Sequence, residues 1–190
     1  MKLVTNALTI ALLSTASVYA TAAATEGTLN FNFSGVVPAK TVDASGWDFV
    51  TADGVTKYVA PGSISMNAAT QGDESVVLTS NSEEFYIAPE GANAFTATAI
   101  NAQLVGAPTI TGSAILASEF DTITSSITIN GLNVVAASET AITTPEAGDI
   151  DAKRMVLGAQ VNVPVDARAA EGGNVTLQTT IRFSADVAAI

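Results

Sequence analysis

Glu83-Glu84 and the Asp149-Ile150-Asp151 loop hold the side chains of this sequence best suited to chemistry. Two carboxylates could hydrolyse a glycoside if they faced each other about 5–10 Å apart across a cleft. Neighbours on a strand point to opposite faces, so Glu83 and Glu84 read more simply as exposed charge at a turn. Asp149 and Asp151, with Glu146 nearby in a Gly- and Pro-bearing loop, offer the oxygens that calcium takes. The spacing of an EF-hand is missing, and a solvated acidic loop is the preferred reading. Trp47, Phe49 and Tyr58 could form an aromatic platform for a sugar, although a lone Trp in a β-domain more often fills the core. Lys40, Lys57 and Lys153 could each form an isopeptide bond with an Asn or Asp, and no spacing singles out a pair.

What the chain lacks is more decisive. Its 190 residues include no His and no Cys, which removes imidazole-based triads, the usual zinc sites, thiol chemistry, iron–sulfur ligation and disulfides. No cofactor or metal is expected, and no enzymatic activity. Seven Lys and Arg against 18 Asp and Glu give a net charge of −11, the wrong sign for nucleic acid or an anionic membrane surface. The length suits one ordinary domain of roughly 100–200 residues.

The elements that must position these residues begin with a segment to be removed. Met1-Lys2 is a short positive start, and Leu3 to Val18 is mostly apolar and uncharged. Val18-Tyr19-Ala20 then presents small residues where a signal peptidase reads them, so residues 1–20 are expected to be a signal peptide; Ala20-Thr21-Ala22 offers a second site. The apolar run falls short of the about 18 residues a membrane span needs, and Glu26 follows soon after. The expected product is an exported chain of 170 residues, with net charge −12 once Lys2 is gone.

Runs rich in Val, Ile, Thr, Phe and Ser fill the rest, separated by Gly, Pro, Asn and Asp clusters, which is the pattern of short antiparallel strands. The clearest are Thr28 to Val37, Ser75 to Thr79, Glu84 to Ile87, Phe95 to Val105, Thr109 to Leu116, Ile123 to Val135, Met155 to Val165 and Asn174 to Val187. Asn130-Gly131 inside one run predicts a tight type I′ hairpin turn. No window has a helical period, and the Ala-rich pieces near Ala136 and Ala167 allow a helical turn at most. Trp47 to Ala60 and Ala136 to Asp151 read as surface loops. Strands at this spacing predict an all-β domain, a β-sandwich or a small barrel.

The first run alternates strictly. Leu29, Phe31, Phe33, Gly35 and Val37 take one face, and Thr28, Asn30, Asn32 and Ser34 the other. The plain reading is a first strand within its own sandwich. However, Gly27-Thr28-Leu29-Asn30-Phe31-Asn32-Phe33-Ser34-Gly35-Val36-Val37-Pro38-Ala39-Lys40 resembles the N-terminal extension of chaperone–usher pilins, with three bulky apolar residues, a Gly in the same register, then another apolar residue. The segment from Gly172-Gly173 to Phe183 is similar to the last strand of that family, following a Gly-containing turn and alternating apolar residues. Two family features are missing. There is no disulfide, which points to a cysteine-free subclass, and the end Ser184-Ala185-Asp186-Val187-Ala188-Ala189-Ile190 lacks the aromatic residue often found there.

The resemblance implies an immunoglobulin-like sandwich lacking its last strand and completed by a donated one. Residues 21–37 would be the donor and residues 38–190 the pilin domain. Leu29, Phe31, Phe33 and Val37 would fill pockets, with Gly35 over a shallow one. Val175, Leu177, Thr179, Ile181 and Phe183 would line the acceptor groove. The partners it implies are a periplasmic chaperone, an outer-membrane usher and further copies of the subunit, in a cell-surface adhesive fimbria of which this chain, having a single domain, would be a shaft subunit. Two other readings remain: a monomeric secreted β-sandwich that binds calcium or carbohydrate, and a surface filament subunit assembled without donated strands.

Overall fold

Residues 46–190 are described by a computed structural model, and their regular structure is almost entirely strand. In chain order these are β1 (Trp47–Val50), β2 (Met66–Thr70), β3 (Val76–Ser80), β4 (Glu83–Pro89), β5 (Asn93–Phe95), β6 (Ile100–Leu104) and β7 (Thr109–Thr111). There follow β8 (Thr124–Ile129), β9 (Leu132–Val134), β10 (Thr140–Thr143), β11 (Lys153–Val163), β12 (Thr176–Gln178), β13 (Ile181–Ser184) and β14 (Val187–Ala189). Two 3-10 turns, Phe120–Thr122 and Val165–Ala167, complete the elements, and the protein is all-β as its sequence predicts.

The larger sheet is built on β11. Leu157 faces Glu83 of β4 on one edge and Ile129 of β8 on the other, while Gln160 to Asn162 lie between β3 and β8. β3 and β4 therefore follow one another along the same edge of β11 as a single interrupted strand. At the interruption the Ser80 hydroxyl accepts a hydrogen bond from the Ala159 amide at 2.8 Å, so that main-chain group is not orphaned. β2 pairs outside β3, β1 outside β4, and β9 outside β8. A second, three-stranded sheet has β6 between β10 and β13, and two separate two-stranded sheets pair β5 with β14 and β7 with β12.

One core joins the two sheets. Ile87, Ile127, Ile129 and Met155 of the first cluster with Phe95, Ile100, Ala102 and Ile142 of the second strand set, and a smaller cluster gathers Ile115, Ile123, Val161, Val163 and Ala167. Each fully buried Ile or Phe is worth roughly 1.5–3 kcal/mol against leaving it in water.

The β8–β9 turn has φ of +52° at Asn130 and +79° at Gly131, the left-handed pair that a type I′ turn requires and the sequence predicts. Other elements differ from expectation. β1 and β10 lie inside stretches that read as loops, while Trp47 fills the core as the sequence predicts. The run read as a strand from Glu84 begins one residue earlier, so Glu83 too lies in β4 instead of a turn. The run from Thr109 stops as a strand at Thr111, and no helical turn forms at Ala136, although one does at Ala167.

Across β4 and β11, the Glu84 carboxylate accepts hydrogen bonds from Arg154 Nη2 at 2.5 Å and from the Tyr86 hydroxyl at 2.6 Å. These bonds, Arg154's first, lower the Glu84 carboxyl from 4.5 to about 2. The pair's contribution is thus complete above pH 4.5 and is lost as pH falls toward about 2. In Glu84→Gln the slope of melting temperature against pH across that window should flatten. A slope identical to that of the unmodified chain would show that this pair does not govern it.

Candidate strand-docking site

The final strands run beside a single partner. The carbonyls of Asn174, Thr180 and Asp186 accept hydrogen bonds from the amides of Ala114, Val105 and Thr96, at 3.2, 2.9 and 3.0 Å. Even-numbered residues therefore turn their main-chain groups toward the 93–114 segment. Odd-numbered ones turn theirs to the opposite edge, where no strand pairs among the described residues. An edge of this kind is a template for another strand.

The side chains alternate in step. Val175, Leu177, Thr179, Ile181 and Phe183 are half-buried on the core side, and Thr176, Gln178, Thr180 and Arg182 are exposed. All five residues that the sequence assigns to an acceptor surface thus share one face. None of them is fully covered, whereas Ile100, Ala102 and Leu104 on neighbouring β6 are 0–5% exposed. The Thr179 hydroxyl is buried without a hydrogen-bond partner, a polar atom set into an otherwise apolar strip.

The strip continues onto the larger sheet. Phe183 meets Phe49 of β1 and Phe85 of β4 edge to face, each with ring centroids 5.5 Å away, and Tyr58 lies 5.3 Å from Phe85. Toward β12, Val175 and Leu177 pack against the smaller buried cluster of Ile115, Ile123, Val161, Val163 and Ala167. β1 and β4 of the larger sheet and β13 thus share one half-buried aromatic surface.

Local sequence places Tyr58 there. In Thr51-Ala52-Asp53-Gly54-Val55-Thr56 the Asp53 carboxylate accepts from the amides of Val55 and Thr56 and the hydroxyls of Thr51 and Thr56, at 2.6–2.9 Å. These bonds, Thr56's hydroxyl first, hold Asp53 well below the usual carboxylate range. Gly54, at φ +72°, closes the turn, and the Tyr58 amide then donates to the Phe49 carbonyl at 2.9 Å. The Tyr58 hydroxyl donates to Glu83 at 2.8 Å, and burial together with this bond pushes the phenol up. The sequence singles out Phe49 and Tyr58 only as a sugar platform. The available signal for their role is the period-two spacing of Trp47 and Phe49, which marks a strand.

Between the three C-terminal strands the chain uses fewer residues than the segment it pairs with. From Thr176 to Ile181 it advances five residues against seven from Leu104 to Thr111. From Ser184 to Val187 it advances three against six from Phe95 to Asn101. The extra residues all lie on the paired side, so none of them falls on the outer edge.

The other candidates resolve differently. Leu29, Phe31, Phe33, Gly35 and Val37 lie outside the described residues. Trp47 is 6% exposed and packs on Phe49, so it is not a flat sugar platform. Asp149 accepts from the Lys153 ammonium and from the Asp151 amide, the latter at 2.9 Å, and the Lys153 bond leads in lowering its carboxyl. No cluster of three or more acidic side chains is placed to hold a metal ion among the described residues. Glu83 and Glu84 serve Tyr58 and Arg154, not one another. No family model matches the chain, and no curated protein matches it.

Proposed function

We propose that this protein is the shaft subunit of a bacterial adhesive fimbria, exported by a chaperone–usher route and polymerised by strand donation. Residues 28–37 of one copy would lie along the C-terminal strand of the next, with Leu29, Phe31, Phe33 and Val37 over the apolar strip and Gly35 where no side chain fits. The observation that carries this reading is the C-terminal strand itself, with its outer edge unpaired among the described residues and its inner face only half-covered. Main-chain hydrogen bonds would supply affinity and alternate side chains specificity. Burying four such side chains contributes roughly 1.5–3 kcal/mol each before ordering costs. The contact is heterologous and does not close on itself, so repetition gives a filament. In this scheme the fold is an immunoglobulin-like sandwich completed by its neighbour.

A chain beginning at residue 38 should bind a synthetic peptide of residues 28–37, seen as co-elution on a sizing column and a raised melting temperature. A truncated chain that unfolds as an ordinary two-state monomer and ignores the peptide would end the strand-donation idea.

A further inference from the structure

Asn130-Gly131 is the one Asn-Gly pair in the sequence. In such a pair the main-chain nitrogen of the glycine, unhindered by a side chain, can attack the asparagine Cγ. The new C–N bond closes a succinimide as the Cγ–Nδ2 bond breaks and ammonia leaves. Water then opens the ring at either carbonyl to give aspartate or isoaspartate, so one water is consumed, one ammonia is released and nothing is oxidised.

Both residues are exposed, so water reaches them. The side chain, however, is held against β11. Its Oδ1 accepts from the Val156 amide at 2.8 Å, its Nδ2 donates to the Arg154 carbonyl at 3.2 Å, and the Asn130 amide donates to the Val156 carbonyl at 2.9 Å. Nδ2 also donates to Met155 Sδ at 3.9 Å, and to bring Cγ onto the Gly131 nitrogen the side chain must give up its bonds to β11. We propose that Asn130 is a deamidation site that the native fold restrains through β11, so that the chain acquires this modification chiefly when the hairpin opens. The reaction is one-way in its effect. A carboxylate at position 130 has no N–H for the Arg154 carbonyl, and isoaspartate adds a main-chain atom to a two-residue turn whose register depends on its length.

The full chain would be incubated in mildly alkaline buffer with and without urea and mapped by peptide mass and isoaspartate content. Asn81-Ser82 serves as the internal reference, since Asn81 is exposed and its carbonyl holds only a side-chain bond from Asn67 at 2.9 Å. Folding should lower the ratio of the Asn130 rate to the Asn81 rate by about tenfold or more, because two hydrogen bonds of ordinary strength must open first. A ratio unchanged by urea overturns the proposal even if both rates slow on folding.

Discussion

Subunits carrying Phe31→Asp are expected to form no polymer while folding as well as the unmodified chain. Under strand donation, Phe31 would be one of the side chains that lie over the apolar strip. A carboxylate there would give up its water for neighbours with no compensating donor, at a cost of several kcal/mol. That exceeds the roughly 1.5–3 kcal/mol that the phenylalanine contributes, so the junction loses both its anchor and its tolerance. Donating and accepting surfaces are separate in this scheme. The variant would therefore still receive a strand from an unmodified copy and could not pass one on. Mixed in at a small fraction, it should shorten filaments in proportion to its share, as read by electron microscopy or sedimentation. Filaments of unchanged length and number would remove residues 28–37 from the assembly mechanism.

Gly112→Ala should damage the start of the C-terminal strands, the acceptor side in the proposed scheme. A Cβ at Gly112 would sit 2.1 Å from the Asn174 carbonyl oxygen and 2.8 Å from Val175 Cα, with no flexible side chain to yield. The facing residue is as tightly placed, since a Cβ at Gly173 would lie 2.3 Å from Ser113 Oγ. Asn174 Oδ1 accepts from the Ser113 amide at 3.2 Å and its hydroxyl at 2.7 Å, locking the crossing where the C-terminal strand begins. Displacing main chain here falls among the severe mechanisms, so a loss of about 3 kcal/mol or more is expected. For a domain of this size that is a drop of about 6–12 °C in melting temperature. The control is Gly72→Ala, where a Cβ meets no atom within 4 Å and the melting temperature should stay within a degree or two. Equal losses in the two variants would show that the crossing does not hold the strand.

The parts of this fold that sequence announces are those whose local and tertiary demands agree. β11, β3 and the β8–β9 hairpin read clearly, because long apolar runs and an Asn-Gly turn favour the structure that packing also favours. β2 gives no such sign. Met66-Asn67-Ala68-Ala69-Thr70 is an outer strand with four of five residues exposed, and it is a strand because β3 offers an edge. β10 is equally short, and it exists through pairing with β6. The breaks within the Phe95 and Asn174 runs were not legible either. They mark register changes between segments some eighty residues apart, which no local pattern encodes. At the docking surface the period-two positions from Val175 to Phe183 could be read directly. The facing side, Phe49 and Tyr58, could not, since it depends on which strands the larger sheet leaves outermost.

The bulges in the 93–114 segment have a mechanical consequence. Every extra residue is placed on the paired side, so none of these irregularities falls on the outer edge of the C-terminal strands. A strand seated there and pulled along its own axis would be loaded in shear, with all its hydrogen bonds sharing the force at once. Had the irregularities faced outward, tension would have peeled the bonds in succession, beginning at the first gap.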